Sequence, residues 1–421
     1  MNDAAAQPLV TPAVPQGPRK AAVVFIFATA LMDVISLGIM IPVLPNLVKQ
    51  FAGGDTALAA QYTIVFAMTW GLMQFFSGPI VGMLSDRFGR RPVLLLSIFG
   101  LGVDYIFMAL APTLGWLFVG RVINGITSAS FSTANAYVAD VTPPQERAKA
   151  FGLLGAAFGV GFIVGPAIGG VLGDINLRLP FWVSAGLAVL NWLYGFFVLP
   201  ESLPPERRAP ALNWRKANPI GALSFLRERT NLFGLISINV LFLMAHNVFP
   251  SIFVLFVGYR FGWGPGAASL MLVATGLSQI LVQTLVVGRV VKAAGERGAL
   301  LIGLVSATVA FVAYGLAPTP FWFFCGVPAG ALGALVMPGL QSLMSRRVAG
   351  SEQGRLQGLN GAFMGLTAIF GPLLYLSLLS FAVKHDAQLH QPGIPVLVAA
   401  LFCTAAFALA VAVAKPVADV H

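Results

Sequence analysis

Three residues stand where charge is costly. Asp33 lies in the apolar run FATALMDVISLGIMIPVLP, Asp104 in LGVDYIFMA and Arg121 in GRVINGITSAS. If these runs are membrane helices, Asp33 is about twelve residues into its helix, which at ~1.5 Å per residue places it about 18 Å deep. A charge at that depth costs roughly 2.5–3.5 kcal/mol, and such residues generally face a cavity and mark ion or proton routes. A buried carboxylate can be neutralised by a proton, so each acid is a place to load and release one. Arg121 keeps its charge and must find a carboxylate or backbone carbonyls. Asp33 and Asp104 are its obvious partners, and a pairing that changes with conformation would couple proton affinity to conformation. For Asp104 a helix-to-helix hydrogen bond is the competing reading.

Other residues could serve a transport path. Asn124 and Ser128 share a helix with Arg121, and Asn239, His246, Asn247, Gln279, Gln283 and Gln341 lie in later apolar runs. Gln279 and Gln283 are four apart and share one helix face. A lone histidine such as His246 more often makes a helix contact than carries a proton. Cys325 and Cys403 form no C-x-x-C pair, and the short loops hold no metal cluster, nucleophile-and-base pair or nucleotide-binding glycine loop. Neither an enzyme nor a bound cofactor or metal is expected.

The elements that position these residues follow from composition. Of 421 residues 57% are hydrophobic and 10% charged, with mean hydropathy +0.85; a soluble domain carries about 25% charged residues. The chain lacks the polar side chains to coat a globule and belongs in a lipid bilayer. About twelve apolar stretches reach the roughly twenty residues a helix needs to cross, so the expected fold is all-α with twelve transmembrane helices. Residues 1–20 read as a polar tail, 21–199 as a first six-helix bundle, 200–231 as a linker, 232–414 as a second bundle and 415–421 as a tail. Twenty of the 25 Lys and Arg residues fall in one alternate set of connections, against Lys49, Arg178, Arg260 and Lys384 in the other. The positive-inside rule then puts both termini and the linker in the cytoplasm. The net charge of +10 is therefore topogenic, and nucleic acid is not an expected partner.

The chain also matches itself at a constant offset of 206 residues: Gly82 falls on Gly288, Gly89 on Gly295, Arg91 on Arg297, Trp116 on Trp322, Glu146 on Glu352 and Gly165-Pro166 on Gly371-Pro372. A fixed register of this kind means two structurally equivalent halves, as in transporters built from parallel repeats around a central site. At the same offset Asp33 meets Asn239, Asp104 meets Ala310 and Arg121 meets Val327. Acid chemistry at membrane depth is thus confined to the first half.

Two motifs carry a family resemblance. The loop after span two reads GMLSDRFGRR, with Gly82, Asp86, Arg87, Gly89, Arg90 and Arg91; its glycines permit a tight turn, and Asp86 can dock on the positive end of a helix. This loop resembles the signature of the major facilitator superfamily, which implies that Asp86 docks on span eleven. Span five contains GAAFGVGFIVGPAIGGVLG, with Gly161, Gly165, Pro166, Gly169 and Gly170. Small residues at that spacing let membrane helices pack closely, and with Arg121 the run resembles the antiporter motif of the drug-efflux branch. Over nearly its whole length the chain is similar to the bacterial tetracycline/proton antiporters. That resemblance implies two pseudo-symmetric bundles, an inner-membrane location, and a monomer driven by the proton gradient that exports a small amphipathic or drug-like molecule. Tetracycline exporters have a His in span eight and an Asp in span nine; here Ser278 and Ala307 stand near those places. The same residues are compatible with proton-linked uptake of a nutrient or organic anion, and a non-transporting sensor is a third reading.

Overall fold

The computed structural model describes residues 19–127, 130–142, 147–208, 232–348 and 353–414. Among them the regular structure is helical throughout, with no strands. Eleven helices are long and apolar enough to cross a membrane, and Leu114–Thr127 is a shorter twelfth. In order the spans are Val24–Phe51, Thr56–Phe88, Arg90–Leu110, Leu114–Thr127 with Ser130–Val141, Arg147–Ile175, Leu179–Val198, Phe233–Phe261, Pro265–Leu285, Val287–Leu316, Pro320–Ser345, Gln353–Lys384 and Ile394–Val413.

Local sequence explains the boundaries. Asp55 caps span two by accepting from the amides of Ala57 (2.7 Å) and Leu58 (3.1 Å), satisfying donors that a helix start leaves open. Spans two and three meet at Gly89 (φ 104°) and span nine turns at its repeat counterpart Gly295 (φ 70°), a backbone region in which L side chains are strained. The internal repeat is therefore structural. It reappears in the arginine two residues after each glycine: Arg91 donates to the carbonyl of Phe196 at the end of span six, and Arg297 to that of Val411 at the end of span twelve. Both halves also carry an interior proline at the matched place, Pro166 in span five and Pro372 in span eleven.

Within the first half span one packs on spans five and six, and span three on span six; within the second, span nine packs on spans ten and twelve. The halves meet through span five on span eight and span two on span eleven. Polar contacts between described residues of the two halves lie at the end away from the termini. There Asp174 Oδ1 accepts from the Gly266 amide (3.0 Å), Gln61 donates to Ser380 (3.3 Å), and Gly170 and Gly173 press on Ser269 and Pro265. Toward the terminal end, Gly82, Gly159, Gly361 and Gly365 face open space. Linker residues 209–231 lie outside the described residues. Its first part folds back, and Glu201 accepts from the amides of Arg90 (2.9 Å) and Arg91 (3.3 Å) at the start of span three.

Candidate functional site

Spans two, three and four bring one cluster together. Asp104 is fully buried; its Oδ2 accepts from Asn124 Nδ2 (2.7 Å), and Asn124 Oδ1 in turn accepts from Trp70 Nε1 (3.0 Å). Asp104 Oδ1 is buried with no hydrogen-bond partner among the described residues, and Gly120 leaves the space beside it. The Arg121 guanidinium lies 5.7 Å from the centre of the Trp70 ring. Tyr105, fully buried, lies near Asp33, Asp104 and Arg121, so the three residues singled out from sequence share one neighbourhood. The expected ion pair is not formed: Arg121 has neither acid within 4.0 Å and rests on the indole instead. Being planar and weakly hydrated, a guanidinium can be held by an aromatic face. Trp70 was not singled out from sequence, since a tryptophan in an apolar run gives no sign of what its ring faces.

Asp33 is buried in span one, just before the crossing of spans one and five. Gly161, Gly165 and Gly169 abut the backbone of Ile35, Gly38 and Ile39, so close that a Cβ on Gly165 would lie 2.7 Å from Gly38 Cα. Gly170, one residue on, faces Ser269 of span eight. The span-five motif thus joins span one on one side and touches the second half on the other.

A cavity of about 720 Å³ lies between spans one, five, seven, eight, nine and ten. Ile41, Pro45, Phe162 and Pro166 form its wall from the first half; Phe242, Phe249, Phe311 and Tyr314 are aromatic walls from the second; His246, Gln279, Gln283 and Gln341 supply polar groups. Three other candidates are not in its wall. Asn124 belongs to the Asp104 cluster. Asn239 donates to Asn360 Oδ1 (3.1 Å), which passes the network on to Gln341 (3.3 Å). Asn247 donates to the Leu243 carbonyl (2.9 Å) and packs against Gly371, the counterpart of Gly165. Each amide is turned from the cavity by a hydrogen bond that burial makes costly to leave unmade. Ser128 lies outside the described residues. No described residue of spans two, three or four lines the cavity, so Asp104 and Arg121 are not in its wall.

In the loop after span two, Asp86 pairs with Arg90 (2.5 Å) one turn on, and Arg90 also binds Asp140 (3.0 Å) and Ser85 (2.7 Å). Arg91 reaches span six, while Arg87 lies over Phe88. Gly82 is unpacked, and Gly89 supplies the turn against Glu201. The implied partner of Asp86 at the start of span eleven falls largely on side chains outside the described residues.

The sequence model of the Major Facilitator Superfamily matches residues 26–259 and 235–419. Tetracycline resistance protein, class C, of Escherichia coli is 38% identical over 353 residues, 84% of this chain and 88% of its own length. The class H protein of Pasteurella multocida is 31% identical over 388 residues, 91% of this chain and 96% of its own. Among solved structures, the human organic anion transporter MFSD10 superposes with a TM-score of 0.67 at 23% identity, over 94% of this chain and 100% of its own. A family match across both halves, together with relatives of this identity and coverage, shows that the chain belongs to the Major Facilitator Superfamily, among the relatives of the tetracycline resistance proteins, and is a multi-pass membrane transporter and not an enzyme.

Proposed function

We propose that the protein is a proton-coupled antiporter of the bacterial inner membrane, which exports a small amphipathic compound by alternating access, with both termini in the cytoplasm. The observation that carries this reading is Asp104: one carboxylate oxygen is fixed by Asn124 and the other is buried without a donor among the described residues. A proton on that oxygen removes a charge that is costly at membrane depth. Arg121, held on Trp70 and not on an acid, is a cation able to answer a change of charge at Asp104.

The halves touch at the face away from the termini. With the basic connections in the cytoplasm, this is a conformation open inward. A compound enters the cavity from that side, and rocking of the halves exposes it to the other. The acids lie outside the described cavity wall, so the coupling is indirect. Span one carries Asp33 near the acid cluster and, through Ile41 and Pro45, part of the cavity wall; its glycine contacts with span five make the two move together. A change of charge at the acids is thereby passed to the walls of the cavity. No cofactor takes part, and a single chain holds both sites.

The test is uphill export by Asp33→Asn and Asp104→Asn variants in proteoliposomes under an imposed pH gradient. Loss of uphill export with retained substrate counterflow is expected. Wild-type uphill rates in both well-folded variants would remove the acids from the coupling. Reversal of the imposed gradient distinguishes export from uptake.

A further inference from the structure

Among the described residues, formal charge is missing from the wall of the cavity: its lining contains no Asp, Glu, Lys or Arg. Of the polar groups, Ser251 and Thr275 spend their hydroxyls on the carbonyls of Asn247 (2.6 Å) and Met271 (2.8 Å). Gln341 accepts from Asn360. Gln279, Gln283 and His246 make no hydrogen bond to another described residue, so their polar atoms are left for a ligand.

From this lining we infer that the cavity takes an uncharged, aromatic compound with a hydrogen-bonding group, and discriminates against cations and anions alike. The inference rests on the transporter reading and names the substrate class of its cavity. A charged ligand brought into a wall of this kind loses hydration with no opposite charge to replace it. An uncharged ligand loses little, and two primary amides offer it both donors and acceptors. The rings of Phe242, Phe249 and Phe311 supply stacking surfaces. Because Asp104 and Arg121 are outside the wall, ligand charge has no direct role in moving the proton, and a neutral cargo suffices for exchange.

The experiment is equilibrium binding to the purified full-length protein in nanodiscs, at one pH and without a gradient, so that it reads the cavity independently of coupling and direction. The probes are N-phenyl-1-naphthylamine, its sulfonate analogue 1-anilinonaphthalene-8-sulfonate, and a derivative of the first bearing a trimethylammonium group. Specific binding is the saturable part lowered by Ala334→Trp, which places a bulky ring in the cavity, once thermal melting shows that variant to be folded. Saturable binding of the neutral probe about tenfold or more tighter than of either charged one is expected, given the cost of an unpaired buried charge. Gln283→Glu, which adds one negative charge to the wall, is expected to move the preference toward the trimethylammonium probe by about tenfold. Equal or tighter binding of a charged probe to the unaltered protein, or no saturable binding of the neutral one, would overturn the inference. Failure of uphill export in proteoliposomes would bear on the antiporter reading alone.

Discussion

Arg90 and Asp140 form an ion pair, Nε to Oδ2 at 3.0 Å, that ties the start of span three to the end of span four. At the repeat offset the same bridge recurs with its polarity reversed, as Glu296 binds Arg346 at 2.7 Å. Both halves need a polar tie between these helices at the terminal face, and either arrangement of charges supplies it.

Exchanging the charges in the first half should therefore be tolerated better than breaking the pair. Arg90→Glu alone is expected to destabilise the protein by about 1–3 kcal/mol, since hydrogen bonds to charged groups are lost and Asp140 is left facing an acid. Adding Asp140→Arg should recover part of that, with a coupling energy of at least about 0.5 kcal/mol. Thermal melting of the two single variants and the double variant checks it. Strict additivity would mean that the pair contributes nothing.

Trp70 serves two neighbours, so two substitutions should separate its roles. Trp70→Phe removes the donor to Asn124 and leaves a buried acceptor open, a loss of about 1–3 kcal/mol, while keeping a ring under Arg121. Trp70→Leu also removes that ring, a further ~0.5–2 kcal/mol. Proton-driven export should fall from wild type to Phe to Leu more steeply than gradient-free substrate exchange. Parallel declines in both rates would reduce Trp70 to a packing residue.

The contact between spans one and five sets a contrast between two glycines. A methyl group at Gly165 would meet Gly38 and the Ile35 carbonyl, whereas one at Gly159 would meet nothing within 4 Å. Gly165→Ala should cost about 1–3 kcal/mol through overpacking and slow transport. Gly159→Ala should be near neutral in both melting temperature and rate, and similar losses in the two would be evidence against a joined pair of spans.

Asp174 binds the Gly266 amide at the start of span eight, across the contact between the halves. Removing such a helix-end acceptor costs about 0.5–2 kcal/mol, here only in the conformation closed at that face. Asp174→Ala should shift the population toward opening there by about two- to thirtyfold. Pulsed electron resonance distances between spin labels on either side of the contact read the shift directly, and an unchanged distribution would show that the bond does not bias the equilibrium.

What the sequence determined by itself is the membrane fold, the division into two halves, and the confinement of buried charge to the first. Those properties are sums over long apolar runs, or matches of the chain with itself, and survive ignorance of any one contact. Gly89 and Gly295 belong to this class, since a fixed offset and a residue tolerant of positive φ already imply a repeated turn. Only the tertiary structure decided that Arg121 meets Trp70 instead of an acid, that Asn124 holds Asp104, and that Asn239 and Asn247 turn from the cavity that His246, Gln279, Gln283 and Gln341 line. These outcomes depend on how far each helix is rotated about its axis. One residue step turns a side chain by about 100°, and packing across several spans at once fixes that rotation.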